Sequence, residues 1–228
     1  MPRHFDTELA ELKNGLMAMA GQAEEMIELT RKALEQRSDA MADKVIALDA
    51  AVDESELRLD QACVDLLALR APIATDLRLI ASTLKIIPEL ERIGDHCVNI
   101  ARRAKLLNPQ PPLRLGGYLE SLGLETREMV RRALDAFVNG DADLARRVIE
   151  DDDRVDALYL DAYKELLRIM LADPLAIERA SHLIIVIKNW ERIADQATNI
   201  AEEVLFILEG VNVKHSYLQS RSPSDDAS

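Results

Sequence analysis

Residues 91–101 read ERIGDHCVNIA and residues 191–201 read ERIADQATNIA, with seven of eleven positions identical at an offset of 100. A second echo precedes each copy: VIALDAAVD at 45–53 and VIEDDDRVD at 148–156. Within these stretches apolar residues recur at spacings of three and four, the period of an amphipathic helix. One stripe runs Ile73, Leu77, Ile80, Leu84, Ile87; another runs Met41, Val45, Leu48, Val52, Leu59, Cys63, Leu66. The pattern breaks where turn chemistry stands. Ser38-Asp39 offers a helix N-cap, and Asn139-Gly140-Asp141 ends one helix and caps the next. Arg70-Ala71-Pro72 and Ala172-Asp173-Pro174 place proline where a new helix can open. The spacing predicts helices over 6–37, 40–69, 73–107, 119–139, 142–171 and 175–208.

Three helices per half give an all-α protein of two tandem antiparallel three-helix bundles related by internal duplication. The first bundle is expected over 1–110 and the second over 119–215. Between them, NPQPPLRLGG at 108–117 concentrates proline and glycine, so 111–118 reads as the linker. The Ser/Asp-rich end, 216–228, is expected to be disordered. Gly94 of the first motif is matched by Ala194, which marks a position that needs a small side chain rather than positive φ. Pro88 lies inside a helix and predicts a local kink, whereas its counterpart is Lys188.

Composition narrows the function. Hydrophobic residues at 48% and charged residues at 30% supply a core and a solvated surface, and only 4% aromatics with abundant Leu, Ala, Glu and Arg favours helix over a β sandwich. A formal net charge of −13 repels phosphate backbones, so nucleic acid is excluded as a partner, and cations or basic protein surfaces are expected. Met1 to Asp6 carries no apolar leader, and the most apolar stretch, Leu183 to Ile187, is too short to span a bilayer. Cys63 and Cys97 form no CxxC pair and read as core thiols. A soluble, cytoplasmic protein is expected. GxxxxGK[ST] and GxGxxG are both absent, and no nucleophile–base–orienter set is present, which argues against an ATPase or a kinase.

The chemistry that remains is acidic. Each half carries two acid-x-x-x-acid pairs: Asp49/Asp53 and Glu91/Asp95, then Asp152/Asp156 and Glu191/Asp195. Residues four apart share a helix face, with Cβ atoms about 5–6 Å apart, and like charges there repel unless something positive intervenes. Glu91 follows Ile87 by four and Glu191 follows Ile187 by four, so these acids flank the apolar stripe, where carboxylates are costly without partners. In an antiparallel hairpin, residues at one level are equidistant from the turn. Asp49/Asp95 and Asp53/Glu91 share a midpoint at Pro72; Asp152/Asp195 and Asp156/Glu191 share one at Asp173-Pro174. Both hairpins therefore bring four carboxylates to one level. Such an all-oxygen set suits Mg, Mn, Ca or Fe, with Zn a further candidate, rather than a thiolate-bound metal. Salt bridging with Arg92 and Arg192 is the competing account. Glu25 and Glu28, and Glu125 and Glu128, lie at heights where the first helix of each half could add ligands.

The repeated ERI-small-D-x-x-x-N-I-A, the Arg70 to Arg78 stretch RAPIATDLR and the duplication together resemble the PhoU family, from about Glu8 to His215. The second half departs, with Ala194-Asp195-Gln196 for Gly94-Asp95-His96 and no Asp-Leu-Arg triplet. The resemblance implies a non-catalytic regulator whose acidic motifs bind metal, including multinuclear iron. It implies a homodimer that acts on the ATPase subunit of the phosphate ABC transporter and on the phosphate sensor histidine kinase, limiting uptake and repressing the starvation response. The residues alone leave two other readings open: an enzyme built on a carboxylate-bridged metal cluster, and a structural helical protein with salt-bridged acids.

Overall fold

The computed structural model describes residues 4–210, and they form six long α-helices and one short 3-10 turn. In order these are α1 (His4–Glu35), α2 (Asp39–Arg70), α3 (Ala74–Leu107), α4 (Tyr118–Asn139), α5 (Ala142–Ala172) and α6 (Ile177–Glu209), with the 3-10 turn at Pro174–Ala176 ahead of α6. Helices α1–α3 make one antiparallel bundle and α4–α6 the other. The tail expected to be disordered lies outside the described residues.

The capping signals act as their chemistry dictates. Ser38 accepts from the Met41 amide at 3.4 Å and Asp141 from the Leu144 amide at 2.9 Å. Gly140 closes α4 at φ 63°, a left-handed value that a side chain would strain. Asp173 accepts from the Leu175 amide at 3.0 Å, and Pro174 opens the 3-10 turn. Pro72 does not open α3. It sits in the connection Ala71–Ile73, with Ala71 at φ 45° and Ala74 at φ 42° on either side. The residue before a proline is held out of the right-handed helical region, so α2 ends at Arg70 and α3 starts two residues beyond the proline. Helix α3 runs on through Pro88, which supplies no amide to the Leu84 carbonyl.

The two halves are less separate than a linker between domains suggests. A single hydrophobic core runs through both bundles, from Leu16, Met26 and Ile27 to Leu122, Val186 and Trp190, all fully buried. Its spine is the seam between α3 and α6, which pack antiparallel. Arg78 donates to the Ile207 carbonyl, Ser82 meets Glu203, Asn199 meets Glu89 and His96 meets Asn189, so the α6 number falls as the α3 number rises. These pairs centre on residues 93 and 193 (the ERI motifs themselves), and the duplicated sequence thus crosses its own copy at the middle of the molecule.

The connection 108–117 is held, not loose. Arg37 donates to the carbonyls of Leu107 at 2.8 Å and Asn108 at 2.6 Å, and also to that of Gln110. From the other bundle, Arg179 donates to the Pro111 carbonyl at 3.0 Å, and Leu115 is buried against the core.

Candidate metal centre

Each acidic level forms where the motif helix of a bundle runs beside its middle helix. In the first, α2 presents Asp49 and Asp53 and α3 presents Glu91 and Asp95. Their charges act on one another: burial first, then Asp53 and Asp95, raises the Asp49 carboxyl above its ordinary range. Glu91 is pushed up to about 7 by burial, and then by Asp95, Glu56 and Asp53. In the second, α5 presents Asp152 and Asp156 and α6 presents Glu191 and Asp195. Burial, then Glu191 and Asp152, takes Asp195 to about 7. Burial and Asp156 take Asp152 to about 6, against a hydrogen bond from Thr198. The eight carboxylates read from the sequence thus fall into the two groups that the turn midpoints require.

Glu56 joins the first level although it stands outside the two acid-x-x-x-acid pairs. It lies one turn beyond Asp53 and feels Asp60, Asp53 and Asp95, so the first level extends along α2. The signal was available as the run Asp49, Asp53, Glu56, Asp60 at helical spacing. The first-helix acids do not join either level. Glu28 is bound by Arg31 at 3.0 Å and Lys32 at 3.2 Å and reaches Arg127 of α4 at 3.4 Å, which holds its carboxyl down at about 2. Glu128 pairs with Arg131 at 2.5 Å, Glu125 with Arg154 at 2.6 Å, and Glu25 is exposed. The reason is rotational: α1 and α4 bury their apolar faces in the bundles, which turns these acids toward arginines instead of into the groove.

Arg92 and Arg102 offset part of the repulsion in the first level, Arg92 at Glu91 and Glu56 and Arg102 at Asp49, without an ion pair to any of these acids. Arg92 pairs with Glu89 at 2.9 Å, outside the first group. One cation does enter the second group: Lys188 Nζ lies 2.6 Å from Glu191 Oε1. Among the described residues, no three Asp, Glu, His or Cys side chains are already drawn together as a coordination shell. The groups fit a hard cation in other respects. The donors are all oxygen, burial and then mutual repulsion raise several of their carboxyls, and Glu191 Oε2 is buried without a hydrogen-bond partner. The cysteines stay out. Both are buried, and burial pushes each thiol up to about 12, so they are core residues and not thiolate ligands. Trp190 is fully buried core packing, and a Cβ placed at Gly123 would meet its ring at 3.5 Å. No described helix is long and apolar enough to cross a membrane.

Comparison with known proteins agrees with this architecture. The family model described as the PhoU domain matches twice, at residues 16–104 and 119–204. A Pseudomonas putida protein, "Phosphate-specific transport system accessory protein PhoU homolog", is 39% identical over 95% of this chain and 85% of its own length. An Aquifex aeolicus protein of the same description is 39% identical over 94% and 97%. The crystal structure of PhoU from Pseudomonas aeruginosa superposes with a TM-score of 0.89 at 38% identity, covering 91% of this chain and all of that one. The phosphate transport system regulatory protein PhoU from Streptococcus pneumoniae gives 0.86 at 28% identity, covering 92% and 99%. With both halves matched and the fold shared along their length, the chain belongs to the PhoU family.

Proposed function

We propose that this chain is a non-catalytic accessory protein of a phosphate transport system, acting as a helical adaptor that restrains phosphate uptake and the phosphate-starvation response. The observation that carries this reading is the match of both halves to proteins described as phosphate-specific transport system accessory proteins, over more than nine-tenths of the chain. Its partners are then the transporter's ATPase subunit, the phosphate sensor histidine kinase and a second copy of itself. The surface supports a docking role. Leu69 and Ile73 at the α2–α3 tip are 73% and 77% exposed, and Leu171 and Leu175 at the equivalent α5–α6 tip are each 87% exposed. Apolar side chains this open on both duplicated tips suit contact with another protein.

The acidic levels serve this adaptor as sites for divalent or trivalent metal. Asp49, Asp53, Glu91 and Asp95 would hold one, and Asp152, Asp156, Glu191 and Asp195 the other. The metal supplies positive charge that ties α2 to α3 and α5 to α6. The residues themselves bring oxygen donors to one level, with Asp49, Glu91, Asp152, Glu191 and Asp195 half-buried and Asp53, Asp95 and Asp156 open to solvent.

Tagged protein should recover the transporter ATPase or the sensor kinase from membranes of phosphate-replete cells, and Ile73→Glu with Leu171→Glu should reduce that recovery. Deletion of the gene should raise starvation-gene expression in high phosphate. Recovery of neither partner by folded bait, with unchanged expression, would refute the adaptor reading. Elemental analysis of protein purified without chelator, repeated with Asp95→Asn and Asp195→Asn, tests the metal; parent protein with no bound metal would refute that part.

A further inference from the structure

The duplicated acidic levels are not electrostatic equals, because one of them already holds a cation of the chain's own. Lys188 Nζ sits 2.6 Å from Glu191 Oε1 and 5.2 Å from the centroid of the Tyr159 ring. Glu191 is the residue whose charge acts most strongly on both Asp156 and Asp195, and the ammonium paired with it acts on both as well. Tyr159 packs in turn near Tyr163, with ring centroids 6.3 Å apart.

Transferring these positions to the first half reverses each one. The repeat aligns Lys188 with Pro88, Tyr159 with Glu56 and Tyr163 with Asp60. The first level therefore has two more carboxylates along α2 and no ammonium. Arg92 makes its ion pair with Glu89 and acts on Glu91 and Glu56 only from beside the level, and Arg102 acts on Asp49 at one end, so no cation is paired directly with a first-level acid. In the second level the ammonium satisfies one Glu191 oxygen and leaves Oε2 buried and unpartnered.

We propose that Lys188 is a built-in counter-ion of the second acidic level, which makes the two levels unequal sites: a hard divalent cation enters the first level tightly and the second only as the ammonium withdraws. The inference rests on the reading of both levels as metal sites. Lys188 is free to leave, since its side chain is 39% exposed and its stem reaches solvent. Displacing it costs a direct ion pair and sets two positive charges near each other, whereas in the first level a cation relieves repulsion without breaking an ion pair to its acids. At low metal the protein would be fastened in its first half alone.

Calorimetric titration of the chelator-stripped full chain with MnCl2 tests this. Two phases are expected, the tighter abolished by Asp95→Asn and the weaker by Asp195→Asn. Lys188→Met should tighten the weaker phase about tenfold, equivalent to about 1.4 kcal/mol, and leave the tighter one unchanged. The reciprocal change, Glu56→Tyr with Pro88→Lys, should weaken the tighter phase by a similar factor, and it serves if Lys188→Met does not fold by circular dichroism. Equal affinities in the parent chain, or a weaker phase unmoved by Lys188→Met, overturns the proposal while leaving the metal reading standing. No Mn2+ binding at all overturns both.

Discussion

Glu203 Oε2 accepts a hydrogen bond from Ser82 Oγ at 3.0 Å across the seam that joins the two bundles. Glu203 is only 4% exposed, and Lys85 Nζ reaches both its oxygens at 3.1 Å. A carboxylate is buried here because partners from the opposite half satisfy it. Glu203→Ala strands the Ser82 hydroxyl and should cost about 1–3 kcal/mol in urea unfolding. Because both residues serve one contact, Ser82→Ala combined with Glu203→Ala should cost less than the sum of the two, by about 0.5 kcal/mol or more. Strict additivity would mean that the contact does not couple the halves.

Arg37 ties the end of α3 and the connection to the α1–α2 turn through the carbonyls of Leu107, Asn108 and Gln110. Arg37→Ala leaves these part-buried acceptors without their donor and should lower stability by about 1–3 kcal/mol. The connection should also become a cleavage site. Limited proteolysis with fragment mass measurement should show new cuts within 108–117, and an unchanged digestion pattern would show that the clasp is not needed.

Gly94 needs little room, not freedom of backbone. A Cβ built there would meet Met26 Sδ and Val52 Cγ1 at 3.6 Å, ordinary contact distance, and the other half already has Ala194. Gly94→Ala should therefore be tolerated or stabilising by about 0.4–1 kcal/mol, since it reduces the freedom of the unfolded chain. Gly94→Val would overpack α1 against α3 and should cost about 1–3 kcal/mol. Thermal unfolding of the pair checks the contrast, and a damaging alanine would point to a backbone role.

The raised carboxyls fix the sign of the pH dependence. Glu91 and Asp195 are lifted to about 7 and Asp152 to about 6, all above the ordinary carboxylate range. The folded chain therefore binds more protons than the unfolded one from about pH 4 to about pH 7, and stability falls as pH rises through that window. Metal-free protein in chelator should melt at a higher temperature at pH 5 than at pH 7.5. Added Mn2+ should restore stability at pH 7.5, because binding to the native state alone adds free energy to it. Asp195→Asn with Glu91→Gln should flatten the metal-free profile. A metal-free protein that is more stable at pH 7.5 would contradict the electrostatics of both levels.

The sequence by itself determined the six helices, their caps and the duplication, because helical period, turn residues and repeats are local or self-referential. It also placed the eight motif acids at two levels. An antiparallel hairpin pairs residues equidistant from its turn, and Pro72 and Pro174 mark the turns even though only the latter opens a helical segment. Rotation about a helix axis was not legible, and only tertiary packing decided it. Glu28, Glu125 and Glu128 stand at suitable heights yet face arginines, since burial of the apolar stripes of α1 and α4 fixes where their other faces point. Packing likewise decided that α3 and α6 share one core across the duplication. It also decided that Lys188 turns into its acidic level, where its ammonium meets Glu191 Oε1 at 2.6 Å and lies 5.2 Å from the Tyr159 ring centroid.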